Sequence, residues 1–234
     1  MQHTLKNIIT ISGVGIHTGV TANITLKPAN INTGIQFKRV DLEGNPTINA
    51  DIDNVFSTER STGLRSGIAE IHTVEHILAA IVGSKIDNVI IEVDNIEVPI
   101  LDGSAKEFTK LITDAGLETQ NAERKFFEIK KKISFKDEET GTTITAEPAK
   151  EYAVEVNIDY NSHTLGAQKA SMGSINEFNE HFASSRTFCF LHELEVLLEN
   201  NLIKGGDINN AIVIVEKNIS SAKLNKLKKA FNKQ

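Results

Sequence analysis

Apolar residues near the start of the chain alternate with polar ones and predict a β-rich opening. The alternation runs from Val20 to Leu26 and ends at Pro28, which is the pattern of a half-buried strand. Apolar residues at 35 and 37 suggest its neighbouring strand. The stretch from 41 to 67 is dotted with Gly and Asn and predicts short strands joined by loops. We therefore expect the opening of the chain to form a sheet.

The pattern changes from alternating to helical near residue 71. Apolar residues recur at helical spacing at Ile71, Val74, Ile77, Leu78 and Ile81. Gly83 provides the stop signal for this helix. The apolar run from 88 to 94 predicts a buried strand, and an amphipathic helix that ends near Gly116 follows it. These elements complete a first α+β unit over residues 1–119.

A second unit is predicted over residues 125–234, after a linker at 120–124. Its predicted elements are strands at 126–135, 142–146 and 154–158, helices at 175–182 and 193–200, a strand at 211–215, and a final helix from Ser220 carrying Leu224, Leu227 and Phe231. The order of elements resembles that of the first unit. The predicted fold class is therefore α+β, with two similar units.

Composition and charge exclude several classes of protein. The net charge is -6, and the scattered Lys and Arg residues form no basic stripe, so we expect no nucleic-acid partner. The chain has no apolar run of about eighteen residues, so we expect no transmembrane segment. The single cysteine, Cys189, cannot form an internal disulfide or a cysteine-rich zinc site. We expect a cytoplasmic protein in which histidines and carboxylates hold any metal ion.

The segment from His72 to His76, His-Thr-Val-Glu-His, carries the clearest chemical signal. On a helix, two imidazoles four residues apart share a face, and Glu75 lies between them. From the residues alone this is an H-x-x-E-H pattern, in which both histidines bind zinc and the glutamate takes a proton from the metal-bound water. The pattern is equally compatible with a solvated helix face that carries two ordinary histidines.

The wider sequence adds several separated segments to this pattern. They are SGVGIHTG at 12–19, TVEHILAA at 73–80, the run from IDNV at 86–89 to PILDGS at 99–104, SRTFCF at 185–190, and GGD at 205–207 leading into AIV at 211–213. Together these segments, which span residues 12 to 215, resemble the UDP-3-O-acyl-N-acetylglucosamine deacetylase family. This family carries out the committed step of lipid A synthesis.

The resemblance implies a zinc-dependent deacetylase and assigns roles within the first motif. Glu75 becomes the general base and His76 a zinc ligand, whereas His72 lies outside the ligand set. The other family ligands are a His and an Asp from a later HK-x-x-D-x-x-GD segment, which this chain does not contain. Zinc acidifies its bound water, and Glu75 then takes the proton as the water attacks the acetamide carbonyl.

The resemblance also implies roles for residues outside the first motif. Thr187 matches a threonine whose hydroxyl stabilises the developing oxyanion. Phe188 and Phe190 match residues that line the sugar and acyl-chain side of the site. His17 lies in a segment that family members place at the cleft, which implies a contact with substrate or with an adventitious second metal ion. Without the resemblance, the same residues are typical of a strand edge, core aromatics and a structural turn.

The family fold implied by the resemblance is a pair of α+β units, each with helices layered on a mostly antiparallel sheet. The chain stops at Gln234, so we expect an incomplete second unit, weak zinc binding and no activity of this chain alone. Some members continue into a hydroxyacyl carrier-protein dehydratase, so the expected partners are the UDP-linked acylated glucosamine and a fused or associated dehydratase. The rival interpretations are an H-x-x-E-H zinc peptidase and a non-catalytic remnant that binds a nucleotide sugar.

Overall fold

The structure is a computed structural model that describes residues 1–199, 204–217, 219–221 and 225. The predicted final helix depends on Leu224, Leu227 and Phe231, which lie outside these residues. In the described part of the chain, no helix is both long enough and apolar enough to cross a membrane.

The first half of the chain is a mixture of short strands with two α-helices. Its strands are β1 (Gln2–Leu5), β2 (Ile9–Val14), β3 (Thr21–Pro28), β4 (Ile35–Arg39), β5 (Thr47–Asn49), β6 (Val55–Ser57), β7 (Gly63–Ser66), β8 (Ala69–Ile71), β9 (Val89–Val93) and β10 (Leu117–Gln120). Its helices are α1 (Glu75–Gly83) and α2 (Lys106–Ala115), with a 3-10 turn at Ile52–Asn54. The short strands β5 to β7 confirm the expectation for the stretch from 41 to 67.

A five-stranded sheet in the order β2-β3-β9-β4-β5 forms the base of the first half. Its neighbours are antiparallel except for β4 and β9, which run parallel with Phe37 opposite Ile91. The predicted alternation in β3 is confirmed, because Ala22, Ile24 and Leu26 are fully buried. The expectation that β4 lies beside β3 is wrong, because the apolar strand β9 hydrogen-bonds to both and separates them.

Helix α1 begins four residues later than its apolar pattern predicts, because Ile71 ends strand β8. The next residue, His72, is still extended: its N–H donates to the Ile96 carbonyl at 2.9 Å, and its carbonyl accepts from the Val98 N–H at 3.1 Å. Thr73 then adopts a φ of 60°, which no helical residue has. The helix can therefore start only after this turn.

The two histidines of the H-x-x-E-H pattern do not share a helix face. His76 lies in the first turn of α1. His72 lies before the left-handed residue Thr73, and its backbone forms a parallel bridge with Glu97. The prediction that placed both imidazoles on one helical surface is wrong. The local reason is the left-handed backbone between them, which the spacing of apolar residues could not indicate.

Helices α1 and α2 pack together against the sheet and form the core of the first half. Helix α1 buries Ile77, Ala80 and Ile81, and α2 buries Phe108 and Ile112. These side chains join the inward residues of the strands in a single buried cluster. The predicted amphipathic helix is confirmed, since α2 ends one residue before the glycine that signals its stop.

Strands β1 and β10 pair antiparallel and close the first half on itself. Gln2 lies opposite Gln120 and Leu5 opposite Leu117. The side-chain amide of buried Asn88 donates to both Gln2 and Gln120, at 2.8 and 2.7 Å. This buried amide cluster fixes the point at which the chain leaves the first half.

In the described part of the second half, the elements are paired strands, short turns of helix and an α-helix. Its elements are β11 (Ile133–Lys136), β12 (Thr143–Ala146), β13 (Val154–Asp159), β14 (Ala167–Met172), a 3-10 turn (Ile175–Glu177), a π-helix (Phe178–Phe182), β15 (Phe188–Phe190), α3 (Leu191–Glu199) and β16 (Ile212–Ile214). The pairs β11-β12 and β13-β14 are antiparallel, whereas β15-β16 is parallel. The chain is therefore a mixed α+β protein.

Three details of the second half differ from the sequence predictions. The long strand predicted at 126–135 is reduced to β11, and strand β14 was not predicted at all. The helix predicted at 175–182 is a 3-10 turn followed by a π-helix, and neither is a regular α-helix. The predicted strand at 211–215 is confirmed by β16, which pairs with β15.

Candidate active site

A cavity between the two halves collects most of the residues singled out from the sequence. The first half lines it with Ile16, His17, Arg60, Thr73, Glu75, His76 and Ile100. The second half lines it with Thr187, Phe188, Cys189, Leu194, Gly206, Asp207, Ile208, Ala211 and Val213. Five of the six predicted site residues meet here. The sixth, Phe190, is buried behind the lining.

Glu75 and His76 enter the cavity from the first turn of α1. Glu75 Oε2 accepts a hydrogen bond from the Thr62 N–H at 3.0 Å, and Oε1 lies 3.9 Å from His76 Nε2. The Glu75 side chain is 38% exposed, so its carboxylate can reach a water molecule or substrate. A tethered but accessible carboxylate of this kind is suited to accept a proton.

Burial determines the charge state of His76, whose side chain is 17% exposed. Burial lowers the pKa of the His76 imidazole below its usual value, although the Glu75 and Asp102 carboxylates act in the opposite direction. The imidazole is therefore neutral near neutral pH. The neutral ring has a free nitrogen lone pair, which is the form that binds a metal ion.

His72 points away from this pair of residues. Its ring packs edge-on against Phe56 with 5.3 Å between ring centroids, and its Nε2 lies 3.8 Å from a Glu70 carboxylate oxygen. His72 is not among the residues that line the cavity. This placement disfavours the peptidase interpretation, which needs His72 and His76 on the same metal ion.

Thr187 reaches the cavity from the start of β15 and is held on both sides by the backbone. Its N–H donates to the Gly103 carbonyl at 2.8 Å, and its carbonyl accepts from the Ile212 N–H at 3.0 Å. Gly103 has a φ of 82°, and a Cβ atom there would collide with the Asn210 carbonyl. The turn at 102–104 therefore fixes the position of Thr187. No site role had been predicted for this turn from the sequence.

The two predicted phenylalanines belong to one aromatic cluster but occupy different layers. Phe188 lines the cavity, and its ring lies 5.8 Å from Phe190 and 5.3 Å from Tyr160. Phe190 is 9% exposed and stacks on His192 with 5.4 Å between ring centroids. Phe188 can contact a ligand directly, whereas Phe190 supports it from behind.

The turn that carries His17 is both a structural turn and part of the cavity wall. The His17 N–H donates to Glu97 Oε1 at 3.0 Å, so the turn is anchored in the first half. The carbonyls of Ile16 and His17 accept hydrogen bonds from the N–H groups of Gly205 and Lys204, at 3.1 and 3.4 Å. The turn thus joins the two halves beside the site.

Known proteins that resemble this chain share one family. A sequence model described as LpxC, UDP-3-O-acyl N-acetylglycosamine deacetylase, matches residues 2–231. The chain belongs to the LpxC family.

Relatives of this LpxC family member include two kinds of protein. A bifunctional enzyme LpxC/FabZ of Bacteroides thetaiotaomicron is 43% identical over 97% of this chain and 49% of that protein. Its counterpart in Porphyromonas gingivalis is 42% identical over the same shares. A UDP-3-O-acyl-N-acetylglucosamine deacetylase of Teredinibacter turnerae is 43% identical over 91% of this chain and 71% of that protein. The chain spans about half the length of the bifunctional relatives it matches.

The zinc ion implied by the LpxC family needs more ligands than the described residues bring together. Zinc sites use three or four protein ligands, and catalytic sites use three. No group of three His, Cys, Asp or Glu side chains able to hold a metal ion occurs within residues 1–199, 204–217, 219–221 and 225. His76 alone therefore does not constitute a zinc site in this part of the protein.

Several residues in or near the cavity had not been predicted as site residues from the sequence. Thr73 and Arg60 line the cavity and have positive φ angles of 60° and 62°. Thr73 lies within the singled-out TVEHILAA segment but was given no role, and no pattern marked Arg60. Asp102, which lies outside the cavity lining and was given no site role, raises the pKa of the His76 imidazole through its negative charge. Asp207 lies in the Gly-Gly-Asp segment that contributed to the family resemblance, so that segment was the available signal.

Proposed function

We propose that the protein hydrolyses the acetamide of UDP-3-O-(3-hydroxyacyl)-N-acetylglucosamine and releases acetate, the committed step of lipid A synthesis. Membership of the LpxC family supports this reaction. The observation that carries the proposal is the cavity, where Glu75, His76 and Thr187 converge from the two halves of the chain. These are the groups that amide hydrolysis needs, because a base and an oxyanion donor must face the same carbonyl.

In this proposal Glu75 is the general base. Its accessible carboxylate takes a proton from the attacking water, while the hydrogen bond from the Thr62 N–H holds it in position. The Thr187 hydroxyl donates to the oxygen of the tetrahedral intermediate, and the backbone bonds to Gly103 and Ile212 fix the hydroxyl in advance. Protonation of the leaving amine is assigned to a later histidine that the family resemblance implies, outside the described residues.

We propose that His76 is one zinc ligand and that a His and an Asp from polypeptide outside the described residues complete the site. The buried, neutral imidazole of His76 supports this assignment. A site with one ligand holds zinc weakly, so the described part of the protein needs the other ligands for activity.

The substrate is proposed to lie across the junction of the two halves. Leu194, Ile208 and Val213 give the second-half side of the cavity an apolar wall suited to the acyl chain, and Phe188 faces the same space. The Phe190 ring contacts the Phe188 ring, and His17 lines the same cavity, where we propose that it contacts the sugar. A lining that contains both apolar and polar side chains suits a ligand that combines a fatty acyl chain with a sugar.

Three further proposals concern the whole protein. We propose two α+β units, at 1–119 and 125–234, with the second completed by residues beyond those described. We propose a bacterial cytoplasmic enzyme, supported by the bacterial relatives and the single unpaired cysteine. A fused or associated dehydratase is the proposed partner, since the relatives from two organisms are named as bifunctional LpxC/FabZ enzymes.

The deciding experiment measures acetate release from the UDP-linked substrate, together with zinc content. Both the 234-residue chain and the polypeptide encoded by the complete natural gene should be tested. We expect activity and bound zinc in the latter, and a loss of activity of about 10²- to 10⁴-fold with retained zinc in Glu75→Gln. Binding of the UDP-sugar without acetate release would instead support a non-catalytic binding protein.

A further inference from the structure

Glu97 is a buried carboxylate outside the cavity lining that the proposed reaction does not use. It is 1% exposed, and the effects acting on its charge in the described part of the chain are burial and hydrogen bonds, with no charged group among them. Burial alone raises the pKa of the carboxyl, but the hydrogen bonds it accepts hold that pKa below its ordinary value. The structure therefore contains a buried negative charge that neutral donors stabilise.

The donors to Glu97 come from two separate segments. Oε1 accepts from the His17 N–H at 3.0 Å and from the Thr73 hydroxyl at 2.9 Å. Oε2 accepts from the Thr18 N–H at 2.8 Å and from the Thr18 hydroxyl at 2.7 Å. One carboxylate thus joins the His17 turn to the Thr73 turn, and each oxygen has two donors.

Both of these turns position groups of the proposed active site. His17 and Thr73 line the cavity themselves, and Thr73 is followed two residues later by Glu75. Thr73 is a β-branched residue with a φ of 60°, a strained conformation that the surrounding contacts must maintain. The bond to Glu97 is one such contact, and the pairing of His72 with Ile96 and Val98 is another.

The His17 turn also fits closely against Glu97. A Cβ atom on Gly15 would collide with the Glu97 carboxylate, so no space separates the turn from the buried charge. On its other side, the same turn accepts the N–H groups of Lys204 and Gly205 from the second half. Through the His17 turn, Glu97 therefore influences the position of backbone in both halves of the chain beside the cavity.

From this geometry we propose that Glu97 is a positioning residue, which holds the His17 turn and the Thr73 turn in the one arrangement that places His17 and Glu75 about the substrate. This role rests on the proposed deacetylase function. Glu97 acts through its donors and does not touch substrate. Its removal should affect substrate binding through His17 and the chemical step through Glu75.

The test compares four variants of the complete natural protein. Glu97→Gln replaces one acceptor oxygen by an N–H group that faces donors, and Thr73→Val and Thr18→Val each remove one hydroxyl while keeping the carboxylate. Thr73→Ser keeps the hydroxyl. If Glu97→Gln does not fold, the two valine variants still test the proposal.

The kinetic expectations separate the two turns. Thr73→Val should lower kcat by about 10- to 100-fold, the effect of misplacing a catalytic group, whereas Thr73→Ser should stay close to the parent. Thr18→Val should mainly raise KM. Combining Glu97→Gln with Thr73→Val should lower kcat no further than Glu97→Gln alone, because both changes break the same link. Multiplying losses in the double variant would overturn the proposal.

A stability control and an activity-independent readout complete the design. Phe108→Leu destabilises the core of the first half away from the cavity, so kcat and KM per folded molecule should be unchanged. Amide hydrogen exchange should quicken at His17 and Thr18 in Glu97→Gln, and at Val74 in both Glu97→Gln and Thr73→Val. Unchanged exchange at these amides would also overturn the proposal. A parent protein without deacetylase activity would overturn the proposed function alone, and exchange would then decide the role of Glu97.

Discussion

The N–H of Thr187 donates to the carbonyl of Gly103 at 2.8 Å, and this bond joins the two halves of the chain at the proposed oxyanion donor. Arg186 strengthens the same junction, because its Nε donates to the Asp102 carbonyl at 2.7 Å. The position of Thr187 relative to Glu75 therefore depends on a tight turn in the first half. Substitutions in that turn should act on catalysis from a distance.

Gly103→Ala should disrupt this junction. A left-handed φ costs a non-glycine residue about 1–2 kcal/mol, and the added Cβ would also collide with the Asn210 carbonyl. The matched control is Gly141→Ala, which has a φ of 72° but no atom within 4 Å of its Cβ. Thermal unfolding should show the backbone cost in both variants and a larger loss in Gly103→Ala, because only its Cβ collides with a neighbour, and only Gly103→Ala should lose deacetylation per folded molecule. Equal activity in the two variants would contradict the docking role of the turn.

Thr187→Val should lower kcat by about 10²- to 10³-fold, the usual cost of removing one oxyanion donor. KM should change little, because the hydroxyl is used mainly in the transition state. Thr187→Ser is the matched control and should retain most of the rate, since it keeps a hydroxyl at the same position. Steady-state kinetics with the UDP-linked substrate would test this, and a valine variant as active as the serine variant would remove Thr187 from the mechanism.

His76→Ala should reduce zinc binding by the complete natural protein, whereas His72→Ala should not. The physical reason is their placement, since His76 lines the cavity and His72 packs on Phe56 before the helix begins. His181→Ala provides a control, because its side chain is 58% exposed and lies outside the cavity lining. Metal analysis of the purified variants gives the answer. Loss of zinc in His72→Ala would revive the peptidase interpretation.

Because of Glu97, the free energy of unfolding should decrease as the pH falls into the acid range. The pKa of its carboxyl is lowered in the folded protein, so the unfolded chain binds a proton first as the pH falls. Its stabilising effect is therefore complete above the ordinary glutamate pKa of about 4.3 and is lost as the pH falls through the lower, folded-state pKa. Glu97→Gln should lower the free energy of unfolding at neutral pH by about 1.5–3 kcal/mol.

Denaturant unfolding of the parent and Glu97→Gln at several pH values would measure this difference. The gap in unfolding free energy between them should be constant near neutrality and should narrow in acid. A gap that widens as the pH falls would show that the carboxyl is protonated more readily in the folded state. In the Thr73→Val background, the difference in unfolding free energy caused by Glu97→Gln should be smaller, because one of the donors to Glu97 is already removed.

The sequence predicted those elements whose side chains follow a simple period. Strand β3 alternates inward and outward, and α2 carries one apolar stripe that ends at a glycine, so both could be placed from local pattern. The start of α1 could not, because the left-handed turn at Thr73 depends on contacts with a distant segment. Glu97 was missed for the same reason, since its donor Thr18 lies 79 residues away in the chain.

The second half was harder to predict because its strands are short and have exposed apolar residues. Phe135 in β11 and Ile144 in β12 are 65% and 67% exposed. Within the described residues, the apolar positions of these two strands therefore do not mark a buried face. Thr187 and Phe188, which the family segments singled out, nevertheless line one cavity with Glu75 and His76, and their roles there stay a prediction. In the second half, the family-like segments were therefore a better guide to the cavity residues than the spacing of apolar residues.

The pairing of β1 with β10 has a consequence for how the chain can be rearranged. Gln2 and Gln120 lie side by side, so the first half begins and finishes at a single edge. A short peptide could join these points, and the ring so formed could be cut at an exposed loop without altering the topology. The chain continues into the second half from this same edge, so the link between the halves leaves the order of strands in the first half unchanged.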